Sequence, residues 1–241
     1  MTQTGTESKD ATGIITLADE PKVVELVSSA VHKLWGAVND LTRLRPTRRE
    51  RFRVTIFGSA RVAKDHWVYA AVRDLAGELT RLDCDIVTGG GPGLMQAANE
   101  GARLADPSGA GKSMGIRVDL PFEQEVNAFV SEAFEHGTFF TRLHHFVIAS
   151  DAFVVVPGGI GTVLETLMVW QLLQVRHVEN VPLILVGRMW KGLVDWAGTS
   201  MLDPRLALAN PQDLQIPQCV DTADEAIALL RDLQKQWQSR P

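Results

Sequence analysis

Residues 152–165 read Ala152-Phe153-Val154-Val155-Val156-Pro157-Gly158-Gly159-Ile160-Gly161-Thr162-Val163-Leu164-Glu165, and this stretch decides the fold. Residues 152–156 form an unbroken apolar run, the pattern of a strand covered on both faces. A proline and three glycines follow, and over 162–175 the apolar spacing becomes helical. The same order recurs upstream. Residues 54–57 end in Gly58 ahead of a helix over 67–82, and Ile86 and Val87 lead into Gly89-Gly90-Gly91-Pro92-Gly93 and an Ala-rich helix over 94–104. Further strands are predicted over 113–118 and 182–186, with helices over 139–149 and from Met189. Repeated β-then-α units predict an α/β fold: a single doubly wound, Rossmann-like parallel sheet with helices on both faces.

The flanks differ from this body. Residues 1–18 are polar and aperiodic, and they read as a flexible tail. Residues 19–50 read as an N-terminal helical extension and basic connector, and 51–238 as the Rossmann-like domain. In the extension Val23, Val27, Ala30, Val31, Leu34, Trp35, Val38 and Leu41 predict an amphipathic helix that must lie on some surface. Arg45, Arg48, Arg49 and Arg51 around Pro46 read as a solvated connector. Near the C-terminus, a loop with Pro204, Pro211 and Pro217 precedes a last helix opening at Thr222, where Glu225 completes a capping box.

Composition narrows the function classes. Across 241 residues, 24 Lys and Arg against 29 Asp and Glu give a net charge of −5, which argues against nucleic acid as a partner. Cys84 and Cys219 are far apart and follow no metal-ligand spacing, so neither a disulfide scaffold nor a metal site is expected. No apolar run reaches the ~18 residues of a membrane span, and residues 1–10 lack the pattern of a signal peptide. The expected compartment is the cytoplasm.

Ligands of open α/β sheets bind beyond the carboxyl ends of the strands. Each glycine turn there lets a backbone approach a ligand and opens a helix N-terminus that attracts an anion. Two better-known phosphate motifs fail. Gly89 and Gly91 begin a GxGxxG fingerprint, but Leu94 stands in place of its third glycine. The stretch 106–113 approximates a P-loop, yet it leaves a helix and enters a strand, so it reads as a surface loop. Glu165 keeps two readings: partner of Thr162 in a capping box, or a carboxylate aimed at the crevice. Trp170 and Trp190, with Met168 and Leu172, belong either to the core or to a dimer seam.

Gly89-Gly90-Gly91-Pro92-Gly93-Leu94-Met95 and Pro157-Gly158-Gly159-Ile160-Gly161-Thr162-Val163-Leu164-Glu165 resemble the GGG-x-GLM and PGGxGTxxE signatures of the LOG family. These proteins were long labelled "lysine decarboxylase" and include cytokinin-activating phosphoribohydrolases. Phe57-Gly58-Ser59-Ala60-Arg61, Leu120-Pro121-Phe122-Glu123-Gln124 and Phe139-Phe140-Thr141-Arg142 follow in the family's order. The resemblance implies hydrolysis of the N-glycosidic bond of a nucleoside 5′-monophosphate, AMP or an N6-modified AMP, to free base and ribose 5-phosphate. It further implies no cofactor, no metal, and a homodimer or higher homo-oligomer.

The same resemblance assigns Arg142 and Glu165 to catalysis. It assigns Gly158, Gly159, Gly161 and Thr162 to the 5′-phosphate, and Gly58, Ser59, Gly90, Gly91, Gly93, Met95 and Glu123 to the rest of the nucleotide. On a crevice-facing helix Arg142 is expected to be exposed and to contribute little to stability. Two positions depart from the pattern: Leu143 stands where a lysine often follows the arginine, and Gln96 where relatives often carry an acid. His144 and His145 read as surface or core residues. A carrier resembling the molybdenum-cofactor carriers is the alternative function. A pyridoxal-dependent decarboxylase would need a lysine at the site, and Lys112 lies on the surface loop.

Overall fold

A computed structural model describes residues 20–43, 49–119 and 126–239. The chain divides into two units, Met1–Arg49 and Glu50–Pro241. In the first, α1 spans Glu20–Arg43, and Val24, Leu26, Val27 and Val31 along it are exposed. The expected tail over 1–18 and most of the basic connector lie outside the described residues.

In the second unit, β1 (Phe52–Phe57), α2 (Trp67–Arg81), β2 (Cys84–Thr88), α3 (Leu94–Ala105), β3 (Ser113–Val118) and β4 (Glu132–His136) come first. Then follow α4 (Phe139–Ala149), β5 (Ala152–Val155), α5 (Ile160–Gln174), β6 (Leu183–Val186), α6 (Arg188–Met201), β7 (Pro217–Val220) and α7 (Ala223–Gln238). The seven strands form one sheet in the order β4-β3-β2-β1-β5-β6-β7, parallel throughout. This is the α/β fold expected from the sequence.

Strand alternation sorts the core onto two faces. Val54, Ile56, Ile86 and Val154 pack against Val72, Leu75 and Leu79 of α2, Ala97 and Ala98 of α3 and Leu230 of α7. Phe57, Val87, Phe153 and Val155 pack against Phe146 of α4, Val169 and Trp170 of α5 and Trp190 of α6. Trp170 and Trp190 are therefore core residues, buried to 8% and 1% exposure, and Trp170 donates its indole N–H to the Asp213 carbonyl at 2.7 Å.

The chain steps outward from β1 through β2 and β3 to β4, then returns to place β5 on the other side of β1. The order reverses between β1 and β5, so the crevice of this sheet opens above their carboxyl ends.

Two strands escape the sequence reading. In β4, Glu132, Glu135 and His136 stand among only five residues, with no apolar run; charge of this kind suits an edge strand and blunts it against edge-to-edge pairing. β7 begins at Pro217, inside the stretch read as a proline loop. A proline is tolerated at the first residue of an edge strand, where its missing N–H costs no ladder bond. At Thr222 the cap forms, its hydroxyl accepting from the Glu225 N–H at 3.3 Å. The Glu225 carboxylate reaches one residue further back, to the Asp221 N–H at 2.9 Å.

Candidate active site

Backbone hydrogen bonds tie the three glycine turns together at the switch point. The Ser59 N–H, beyond β1, donates to the Pro157 carbonyl beyond β5 at 3.1 Å. The Leu94 N–H at the start of α3 donates to the Ser59 carbonyl at 2.8 Å. Gly93 makes this approach feasible: it sits at φ +66°, and a Cβ there would run into the Ser59 carbonyl and Ala60. The geometry thus brings Gly58, Ser59, Gly93 and Gly158 to one place.

Helix α5 begins at Ile160, two residues ahead of the expected start, with Gly159 as a cap that offers no side chain. Its first-turn N–H groups are left for a ligand or solvent. Gly159 and Gly161 are exposed at this end, and a Cβ on either would meet nothing within 4 Å. Thr162 is buried in the same turn. Because the helix starts early, Thr162 lies within it and cannot be the cap of a box with Glu165. That reading of Glu165 is overturned.

Glu165 instead faces Arg142. Its Oε1 lies 3.2 Å from Arg142 Nη1, and both side chains are close to nine-tenths buried. Arg142 rises from the first turn of α4, where the Thr138 hydroxyl caps the helix by accepting the Thr141 N–H at 3.2 Å. Its Nε donates to the Ile116 carbonyl of β3 at 2.9 Å, and its guanidinium lies over the Phe146 ring, 5.2 Å from the centroid. A Cβ on Gly89 would come within 2.5 Å of Arg142 Nη2 and 2.6 Å of Met95 Sδ, so the turn, the arginine and Met95 are packed together. The expectation of an exposed, weakly held arginine is therefore wrong. Arg142 is fixed by a backbone carbonyl, an aromatic ring and a carboxylate.

Leu143, in place of the family's lysine, is buried. Gln96 is half-buried on the first turn of α3. Glu123 lies outside the described residues. Lys112 stands at the opposite end of the sheet, before β3, where its Nζ pairs with Glu132 at 2.9 Å. The loop 106–112 is organised around Asp106, which accepts from the Gly111 N–H at 2.6 Å and the Gly109 N–H at 3.1 Å. The first of these bonds is the main reason its carboxyl is held below the usual carboxylate range.

Several residues that sequence reasoning passed over hold the Gly89–Gly91 turn. Thr88 Oγ1 accepts the Gly90 N–H at 2.9 Å and donates to Asn99 Oδ1 at 2.7 Å. Asn127 donates from Nδ2 to the same Asn99 oxygen at 3.0 Å. Asn99 was legible in principle, as a polar residue on the helix face that carries Leu94, Ala98 and Ala102.

His145 also has a structural role. Its Nδ1 lies 2.9 Å from Nε2 of His136, so one ring donates its N–H to the other, and its ring meets the edge of Phe134. Burial pushes both imidazoles below their usual range. Arg142 adds to this at His136; at His145 the neighbouring His136 and Arg53 add to it and Glu132 opposes it. The unfolded chain therefore takes up protons first as pH falls, and folding stability should decline below about pH 6.5. In His145→Asn that decline should be shallower between about pH 7 and pH 5, which melting curves across that range would show.

Among the described residues no three His, Cys, Asp or Glu side chains cluster as metal ligands would, and no helix is long and apolar enough to cross a membrane. Cys84 is buried, and burial pushes its thiol up to about 12, unsuited to a nucleophile.

Comparison with known proteins bears on this site. The family described as "Possible lysine decarboxylase" matches residues 95–230. The "Probable cytokinin riboside 5′-monophosphate phosphoribohydrolase LOGL9" of Oryza sativa subsp. japonica is 31% identical over 160 residues, covering 64% of this chain and 68% of that protein. Among solved structures, the molybdenum cofactor carrier protein of Chlamydomonas reinhardtii superposes with a TM-score of 0.56 at 19% identity, covering 76% of this chain and 98% of that one. The molybdenum cofactor binding protein of Rippkaea orientalis gives 0.57 at 17% identity, covering 78% and 99%. At such identities the two structures speak to the fold alone. The family match spans more than half of the chain, and with the rice relative it shows that this protein belongs to the LOG family, the group carrying the "Possible lysine decarboxylase" description.

Proposed function

We propose that this protein hydrolyses the N-glycosidic bond of a nucleoside 5′-monophosphate, AMP or an N6-modified, cytokinin-type AMP, to free base and ribose 5-phosphate. The observation that carries the reading is the buried Arg142–Glu165 pair beside the three joined glycine turns. Departure of the base builds positive charge on the ribose ring, which a fixed carboxylate offsets. Glu165 takes that role and orients the water whose oxygen bonds to the anomeric carbon as the base leaves. Arg142 meets the phosphate or the departing base with its planar guanidinium fork. The uncapped start of α5 receives the 5′-phosphate on the N–H groups of Gly158, Gly159 and Gly161 and on the Thr162 hydroxyl. Gly58, Ser59, Gly90, Gly91, Gly93 and Met95 line the remainder, to which the family resemblance also assigns Glu123. No metal or organic cofactor enters this scheme.

The activity named for the rice relative supports the reaction class. A carrier of a molybdenum cofactor is the alternative, suggested by the structural neighbours, but a carrier has no need of a carboxylate aimed at the site. We further propose that the chain works as a homodimer or larger homo-oligomer, without nucleic acid or membrane. The apolar stripe of Ile160, Leu164 and Leu167, exposed on α5 and continued by Val175 at its C-cap, would be covered by a second copy. Two free thiols suit the reducing cytoplasm.

If the α5 turn binds the phosphate, AMP should lose its base far faster than adenosine, and inorganic phosphate should inhibit competitively. A difference of about 100-fold or more in kcat/KM is expected from removing a dianion held by charge-assisted hydrogen bonds. Initial rates on the two substrates decide the matter, and equal rates would reassign the turn.

A further inference from the structure

We infer that Asn127 is a positioning residue for the nucleotide: by donating into the Gly90 and Gly91 carbonyls it sets the shape of the turn against which the substrate lies. The inference rests on the nucleotide-binding reading of the site above.

The turn has little intrinsic preference for one shape. Gly90 sits at φ +73°, a conformation open to glycine and rarely to other residues, and three glycines in succession leave the unbound backbone many alternatives. Something outside the turn must select one. The backbone N–H of Asn127 donates to the Gly90 carbonyl at 2.9 Å. Its Nδ2 donates to the Gly90 carbonyl at 3.1 Å and to the Gly91 carbonyl at 3.0 Å. The Gly90 N–H is taken by Thr88 at 2.9 Å, so Gly90 is held on both sides.

The orientation of the Asn127 amide is fixed in turn. Its Oδ1 accepts the Phe129 N–H at 3.1 Å, which leaves Nδ2 facing the glycines and Asn99 Oδ1. Asn99 is fully buried and uses both ends of its amide. Its oxygen accepts from Thr88 and Asn127, and its Nδ2 donates to Ser113 Oγ at 2.9 Å and the Met114 carbonyl at 3.4 Å. Neither amide can flip without setting donors against donors. There is no slack on the sheet side either, since a Cβ on Gly115 would come within 3.0 Å of Gly90 Cα. The network therefore leaves one arrangement of the turn, with its two carbonyls engaged by Asn127 instead of free to face an anionic ligand.

Arg142 is held by contacts of its own to Ile116, Phe146 and Glu165. Loosening the turn should thus act on substrate binding more than on the chemical step.

Asn127→Asp isolates this role. Aspartate keeps the shape, the backbone N–H bond to Gly90 and the acceptor for Phe129, and loses only the Nδ2 donation, setting a carboxylate against the Gly90 and Gly91 carbonyls and Asn99 Oδ1. The expected result is a rise of about tenfold or more in KM for AMP, with kcat within about threefold of wild type and the inhibition constant of inorganic phosphate unchanged. Asn127→Ala should show the same split, and calorimetric titration with AMP and with phosphate gives it without turnover. An unchanged AMP affinity in a folded Asn127→Asp protein, even with a lower Tm, would overturn the positioning role and leave the hydrolase reading standing. A wild-type protein that binds neither AMP nor phosphate would overturn both.

Discussion

Arg142→Ala is expected to lower base release from AMP by at least about 100-fold, the usual loss when one preorganised charge is removed from a site. It should also cost stability. The substitution strips Glu165 of its partner at 3.2 Å in a place where both side chains are about nine-tenths buried, and breaking such a pair from one side typically costs about 3 kcal/mol or more. It further leaves the Ile116 carbonyl without its donor. For a chain of this size that corresponds to a Tm lower by roughly 6 °C or more. The assay therefore belongs well below the new transition, with the folded fraction checked by circular dichroism. Wild-type turnover by folded Arg142→Ala would remove Arg142 from the reaction.

Glu165→Gln separates charge from shape. The amide fills the same space and its oxygen still accepts from Arg142, so the stability loss should stay near the worth of one charged hydrogen bond, about 2 kcal/mol. The neutral group cannot offset positive charge on the ribose ring, and kcat should fall about 100- to 1000-fold. KM should change little, because the phosphate contacts proposed above come from the turn of α5. A purely structural carboxylate gives the reverse pattern, with a lowered Tm and kcat at the wild-type level at 25 °C. Melting curves and initial rates on one preparation distinguish the two.

The fold was legible wherever burial wrote it into the sequence. β1, β2 and β5 lie in the middle of the sheet, covered on both faces, and the residues that revealed them are apolar: Val54, Ile56 and Phe57, then Ile86 and Val87, then Ala152 to Val155. The edge strands were not legible, because an edge is under the opposite pressure. β4 carries charge and β7 opens on Pro217, both of which read as loop to a pattern sensitive to burial. The glycine turns were visible as motifs, and their convergence followed from the parallel order of the strands.

Chemistry within the site was less legible. Thr162 and Glu165 have the spacing of a capping box, and only the early start of α5 at Ile160 shows that Glu165 reaches across to another helix. Of the groups that hold Arg142, Phe146 lies one turn further along α4, but Ile116, Glu165 and Gly89 are remote in sequence and no local pattern connects them. Asn127 is further removed still. It touches the turn through backbone carbonyls, and a carbonyl leaves no mark on the identity of its residue.

We propose that this LOG-family chain breaks the bond between base and ribose. Incubating the purified wild-type protein with AMP and resolving the products by chromatography tests it most directly. Adenine and ribose 5-phosphate should appear in equal amounts over many turnovers, and their appearance should be abolished in Glu165→Gln. AMP recovered intact, or adenosine and inorganic phosphate in place of adenine and ribose 5-phosphate, would rule out the proposed hydrolysis.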